Sequence, residues 1–163
     1  MKIRMAEDKD ITAVTEIYNE VLRTSTAIYR DEEASIDERV LWWQSQQQKG
    51  YPLFIAEEDD QVLGFASYGD FRPWPGYRFT VEGSIHLRPD ARRHGTGTKL
   101  FEELIAHARA AGKHMLIAGV DAENLPSCSF LGKFGAERAG HLKEVGYKFG
   151  HYLDLLLYQI RLS

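Results

Sequence analysis

Residues 92–109 read RRHGTGTKLFEELIAHAR. Leu100, Leu104, Ile105 and Ala108 recur at helical spacing and give this stretch one apolar face. Glu102, Glu103, His107 and Arg109 fall on the opposite, wet side, and Gly112 is a suitable C-terminal stop. The loop in front of the helix carries the chemistry. A helix N-terminus exposes unpaired N–H groups and about half a positive charge. Gly95 and Gly97 let the backbone curl close to an anion, while Arg92, Arg93 and His94 add positive potential there. The pattern strand, R-x-x-G-x-G, helix is therefore a candidate pyrophosphate cradle; a plain tight turn is the other reading. No G-K-[ST] follows for a Walker A loop, and the third spaced glycine of a dinucleotide fingerprint is missing.

Outward from this stretch, the chain has 163 residues, a length expected to form one domain over 1–163. Hydrophobic residues at 44% and charged residues at 27% match a soluble globular composition. A formal charge of −4, with basic residues dispersed, argues against a general nucleic-acid binder. Cys128 is the one cysteine, so no intrachain disulfide forms and a reducing compartment is the default. No apolar run approaches a membrane span, and the opening MKIRMAEDKD has no apolar h-region, so a cytoplasmic protein is expected. The six histidines show no metal-ligand spacing, so no metal is expected.

IRMAEDKDITAVTEIYNEVL reads as a strand and a helix, with Asp8 or Asp10 as cap and Ile11, Val14, Ile17, Tyr18 and Val21 as buried stripe. SIDERVLWWQSQQQKG is a second helix ending at Gly50. YPLFIAEEDDQVLGFASYGD is a hairpin turning at Glu58-Asp59-Asp60. YRFTVEGSIHL is a long strand in which Gly83 suits a bulge. KHMLIAGV, LPSCSFLGKFG and HYLDLLLYQIRL read as strand, short helix and final strand. The order β-α-α-β-β-β-α-β-α-β-β predicts a mixed sheet with helices on both faces, an α/β to α+β fold.

The chain resembles the GCN5-related N-acetyltransferases, whose signature Q/R-x-x-G-x-G/A is matched by Arg92-Arg93-His94-Gly95-Thr96-Gly97 and whose asparagine after the next strand is matched by Asn124. TSTAIYR, GYPLFIAEE, GFASYGDFRPWPGYRFTVEGSIHL and VGYKFGHYLDLLLYQIRL extend the likeness to the phosphinothricin and methionine-sulfoximine acetyltransferases over nearly the whole chain.

This resemblance implies a mostly antiparallel sheet splayed at an acetyl-CoA site, and a homodimer. It assigns the pyrophosphate to the loop from Arg92 to Thr98. The pantetheine arm falls to the backbone of Ile85, His86 and Leu87, with Asn124 supporting it. Glu82, in TVE, is the implied general base, and a backbone N–H near Ile85 the implied oxyanion donor. Arg72 and Arg78 are candidates for an acceptor carboxylate, Arg72 being the one the family match favours. Tyr29 matches an aromatic pocket position, and Lys148-Phe149-Gly150 with Tyr152 match a motif at the rim. Trp74, Tyr77 and Phe79 are candidates for packing in the core or a dimer interface as much as for substrate contact. Leu131 stands where relatives carry an acid for the departing thiolate, and Cys128 suits packing better than nucleophilic attack.

The expected activity is acetyl transfer from acetyl-CoA to the α-amine of a small amino acid such as methionine sulfoximine, methionine sulfone or phosphinothricin. The alternatives are a peptide N-terminus or another amine as acceptor, or a catalytically weak acyl-CoA-binding module.

Overall fold

Strand alternation sorts the core into two layers. The computed structural model describes residues 1–163, with β1 (Lys2–Met5), β2 (Leu53–Glu58), β3 (Gln61–Asp70), β4 (Thr80–Leu87), β5 (Met115–Asp121), β6 (Glu137–Lys148) and β7 (His151–Arg161) in one sheet. Leu53 and Ile55 of β2 point to one face and Phe54 and Ala56 to the other, as a two-residue period requires. The first face is covered by α1 (Ile11–Thr24) and α2 (Ile36–Gln48), the second by α3 (Thr96–Ala110) and α4 (Leu125–Lys133). The element order is the one anticipated from the sequence. The apolar stripes of α1 and α3 are buried as their spacing requires, except that Tyr18 is only half-buried. His107, placed on the wet side of α3, is half-buried and pairs through Nδ1 with the Tyr68 hydroxyl at 2.8 Å.

The sheet order is β1-β2-β3-β4-β5-β7-β6, antiparallel throughout except where β4 meets β5. That parallel pairing covers Thr80–Glu82 against Met115–Ile117 and then stops. Beyond it β4 keeps its bonds to β3 and β5 keeps its bonds to β7, so the two strands diverge. The bulge anticipated at Gly83 is absent, because β3–β4 register runs unbroken through Tyr68↔Gly83. Glycine is needed there for space: a Cβ would sit 3.3 Å from Leu104 and 3.4 Å from Leu116.

Turn chemistry fixes both hairpins. Asp59 and Asp60 both take positive φ, as do Phe149 and Gly150 between β6 and β7, which is the twist that two-residue hairpin turns demand. Lys148, at the end of β6, is 1% exposed. Its ammonium donates to the carbonyls of Leu22, Ser25 and Ile28 at 2.5, 2.9 and 2.7 Å, tying the end of α1 and the following loop to the sheet. Burial pushes its pKa down. The rim motif noted in the sequence thus includes a structural clip. Lys148→Met, which strands these acceptors, is expected to cost about 2–4 kcal/mol of stability, read as a lower midpoint in urea denaturation.

Candidate active site

The split between β4 and β5 opens a cavity of about 440 Å³ that reaches both faces of the sheet. Gly83, Ile85, Phe101, Asn124, Ser127, Phe130 and Leu131 line it toward α3 and α4. Tyr18, Arg39, Trp42, Ser67, Glu82, Ser84 and His86 line it toward α1 and α2.

Backbone direction along β4 follows from its neighbours. The Arg88 N–H donates to Leu63 on the β3 side, and the Phe79 carbonyl accepts from His114 and Met115 on the β5 side. With strict alternation between them, the Gly83 N–H closes the last bond to β5, and the Gly83 carbonyl with the N–H and C=O of Ile85 and Leu87 face the open edge. The edge therefore offers a strand's hydrogen-bonding ladder to an extended ligand.

The loop carrying Arg92 to Gly97 follows β4. After a 3-10 turn at Pro89–Ala91, Arg93 (φ 66°) and Gly95 (φ 78°) adopt left-handed backbone, and Gly95 is the N-cap residue of α3 without a side-chain cap. The first helical bond runs from the Lys99 N–H to the Gly95 carbonyl, so the amides of Thr96, Gly97 and Thr98 point out of the helix end. Arg92, Arg93 and His94 are exposed around them, and Thr96 is buried. A side chain at Gly97 would meet Leu87 at 3.5 Å and Phe130 at 3.6 Å, so glycine keeps the floor of the loop open.

Glu82 sits at the apex of the split, on the last residue pair that joins β4 to β5. Its carboxylate lies beside Gly119, where a Cβ would touch Oε1 at 3.5 Å. Glu82 reaches solvent through the split, yet partial burial still raises its pKa, and the positive charge of Arg72 opposes that rise. His86 lies on the same face, edge-on to Tyr18 at 6.2 Å and tilted against Phe65 at 5.3 Å. Burial, with help from Arg39, pushes its pKa down to about 4.

The other anticipated positions fall in different places. Asn124 lines the cavity and also caps α4, its Oδ1 accepting from the Ser127 N–H at 3.2 Å. Arg72 is exposed over the Phe71 ring, near Glu82 but outside the cavity lining. Arg78 is exposed, donates to the Pro75 carbonyl at 2.9 Å and does not line the cavity. Tyr29 also lies outside that lining; its hydroxyl donates to the Asp154 carbonyl at 3.0 Å, and its ring occupies the space a side chain at Gly146 would need. Trp74, Tyr77 and Phe79 are exposed, so they do not belong to this protomer's core. Leu131 is buried against the cavity and Cys128 is partly buried beside the main core. Among His, Cys, Asp and Glu side chains, no group of three gathers around a common point, and no helix is long and apolar enough to cross a membrane.

Tyr18, Arg39, Trp42 and Ser67 of the cavity lining were missed from the sequence. No local signal marks Arg39: it shares the buried face of α2 with Trp43 and Gln46, while the apolar Ile36 and Leu41 of the same helix are exposed.

Residues 13–136 match the model of the Acetyltransferase (GNAT) family. The chain belongs to the GNAT family. Among its relatives, the L-methionine sulfoximine/L-methionine sulfone acetyltransferase of Salmonella typhimurium is 39% identical over 163 residues, covering 100% of this chain and 95% of the relative. A phosphinothricin N-acetyltransferase of Alcaligenes faecalis is 36% identical over 96% of this chain and 80% of its own. A Salmonella typhimurium acetyltransferase structure with its cofactor acetyl-CoA superposes with a TM-score of 0.97 at 38% identity, covering 99% of this chain and 94% of that one. A ribosomal-protein-alanine N-acetyltransferase structure from Brucella melitensis gives 0.97 at 39% identity, covering 99% of both. This GNAT chain therefore shares fold and sequence with enzymes named for different amine acceptors.

The His86 ring is expected to stay neutral from pH 8 down to about 5.5, so its NMR resonances should not shift over that range. Below the unfolded reference near 6.5 the unfolded chain takes up a proton that folded His86 refuses, so this residue's contribution to stability falls as pH drops toward 4.

Proposed function

We propose that the protein transfers an acetyl group from acetyl-CoA to the α-amine of a small amino acid, with methionine sulfoximine, methionine sulfone and phosphinothricin as acceptors. The observation that carries this reading is the position of Glu82 at the apex of the β4–β5 split, between an open strand edge and a pocket walled by α1 and α2. The named activities of the relatives support it.

In this reading the pyrophosphate lies on the amides of Thr96 to Thr98, with Arg92, Arg93 and His94 around it. The pantetheine arm pairs with the open edge at Ile85 and Leu87, flanked by His86, and passes Asn124. The thioester then sits beside Glu82. The acceptor arrives on the α1–α2 side, where Arg72 stands at the mouth; Arg78 and Tyr29 belong to the outer rim. Glu82 takes a proton from the ammonium, directly or through water. The amine nitrogen bonds to the thioester carbon, and the Ile85 N–H steadies the negative carbonyl oxygen. The attacking nitrogen gives up its remaining extra proton to solvent water, and collapse breaks the C–S bond, releasing CoA as a thiolate that water can protonate. The thiolate is a tolerable leaving group, because a thiol has a reference pKa near 8.5 and Leu131 supplies no acid.

Exposed Leu142, Val145, Tyr147, Phe149 and Tyr152 on the β6–β7 hairpin support a homodimer, checked by sedimentation. The single cysteine suits a reducing, cytoplasmic setting.

A second reading, acetylation of peptide N-termini, is favoured by the Brucella neighbour's name. Steady-state CoA release with the three amino acids and an alanine-starting peptide separates the two: saturable release with the amino acids and none with the peptide is expected. Acetyl-CoA binding without turnover of any amine would instead mark a binding module.

Glu82→Gln is expected to lower kcat by about 10²–10³ without loss of acetyl-CoA binding. The wild-type rate should fall as pH drops through the raised Glu82 pKa, since only the carboxylate accepts a proton. Arg72→Gln removes the charge that lowers that pKa, so the acidic limb should move to higher pH. Gly95→Ala forces a Cβ into left-handed backbone and should weaken acetyl-CoA about tenfold in calorimetry, with acceptor KM unchanged.

A further inference from the structure

Arg39 is 7% exposed and lines the acceptor side of the cavity. Its guanidinium lies between two rings, 4.2 Å from the Tyr18 centroid and 3.9 Å from that of Trp42. Its buried Nε has no hydrogen-bond partner, and the side chain forms no ion pair. Buried charges are ordinarily paired, because desolvating an ion is costly. Stacking on two aromatic faces offsets part of that cost but leaves the in-plane N–H donors unused.

The nearby carboxylates are committed elsewhere. Glu38 forms a two-point pair with Arg30 at 2.6 and 2.7 Å. Asp70 accepts from Lys49 and Tyr51, and Asp121 from Thr26 and the Glu123 N–H. Glu82, the remaining carboxylate in the lining, feels Arg72. Arg39 also sits in the first turns of α2, where the helix dipole disfavours a cation. Stacking ties Arg39 to Trp42 of its own helix and to Tyr18 of α1, but it uses none of the N–H donors, and His86 beside it is held neutral.

We propose that Arg39 is a specificity-determining residue that receives the α-carboxylate of the acceptor through paired N–H···O bonds inside the cavity. The inference rests on the amino-acid reading above. Methionine sulfoximine, methionine sulfone and phosphinothricin share that carboxylate, whereas their distal groups differ in charge. A guanidinium held flat by two rings offers its edge to a planar carboxylate. Arg72, solvated at the mouth, is left to tune Glu82.

The test compares kcat/KM for methionine sulfone and its α-carboxamide, with acetyl-CoA as donor, in the wild type, Arg39→Gln and Arg39→Lys. The wild type should favour the carboxylate at least about a hundredfold. Arg39→Gln should lose about that factor on the amino acid, chiefly in KM, and stay within about threefold on the carboxamide, so the preference collapses. Arg39→Lys should recover about tenfold of it. Calorimetric acetyl-CoA binding reports whether each variant is folded, and Arg39→Lys carries the comparison if Arg39→Gln is not. Equal losses on both acceptors, or a preference that survives in the variants, overturns the assignment and leaves Arg39 a packing residue. A wild type that binds acetyl-CoA but acetylates neither acceptor overturns the amino-acid reading, and the Arg39 assignment with it. An effect of Arg39→Gln that instead follows removal of the distal sulfone oxygens, with methionine as the probe, overturns the carboxylate as its partner.

Discussion

Three residue pairs join β4 to β5, and the divergence of the strands past Glu82 and Ile117 organises the rest of the molecule. A sheet interior normally pairs every backbone group. Here β3 and β7 hold the outer edges of the two strands, so the inner edges stay apart without unfolding. The cost is a stretch of unpaired backbone running from the Gly83 carbonyl through Ile85 and Leu87. That stretch is also the feature that lets an extended ligand become a temporary strand. The glycine loop ahead of α3, the Glu82 carboxylate and the pocket walled by α1 and α2 are placed relative to this gap.

Each helix layer then takes one share of the work. The α3 layer packs Leu100, Leu104 and Ala108 against the sheet, which fixes the helix N-terminus beside the end of β4. The α1–α2 layer packs Ile11, Val14, Ile17 and Trp43 on the other face, which holds Tyr18, Arg39 and Trp42 over Ser84 and His86. Lys148 completes that arrangement from a distance, its ammonium gripping the end of α1 and the loop toward Tyr29. Two cationic side chains, Lys148 and Arg39, are thus buried in one half of the molecule with different fates. Lys148 is saturated by three carbonyls and acts on the fold; Arg39 has no polar partner and faces the cavity.

Much of this was legible in the chain. The stripe in α3, the glycines before it, the acidic hairpin turn and the order of elements are local patterns, written in spacing and turn chemistry. Glu82 and Asn124 were candidates through likeness to a family; the geometry puts Glu82 at the end of the β4–β5 pairing, and Asn124 both caps α4 and faces the cavity. Gly83 was misjudged because a glycine in a strand signals either a bulge or a close contact; Leu104 and Leu116, distant in sequence, make it the second.

The sequence by itself determined the secondary elements, their order, and the glycine loop ahead of α3, because hydrophobic period, caps and turns act over a few residues. Only the tertiary structure decided where β4 and β5 part, and which arginine enters the pocket. Arg72 and Arg78 looked suited to a carboxylate because they lie close to Glu82 along the chain. Arg39, more than forty residues upstream of Glu82, is the guanidinium that the packing of α1 and α2 walls into the cavity. The physical reason is that burial and the absence of a partner, which together single out a charge, are properties of packed neighbours and have no local pattern in the sequence.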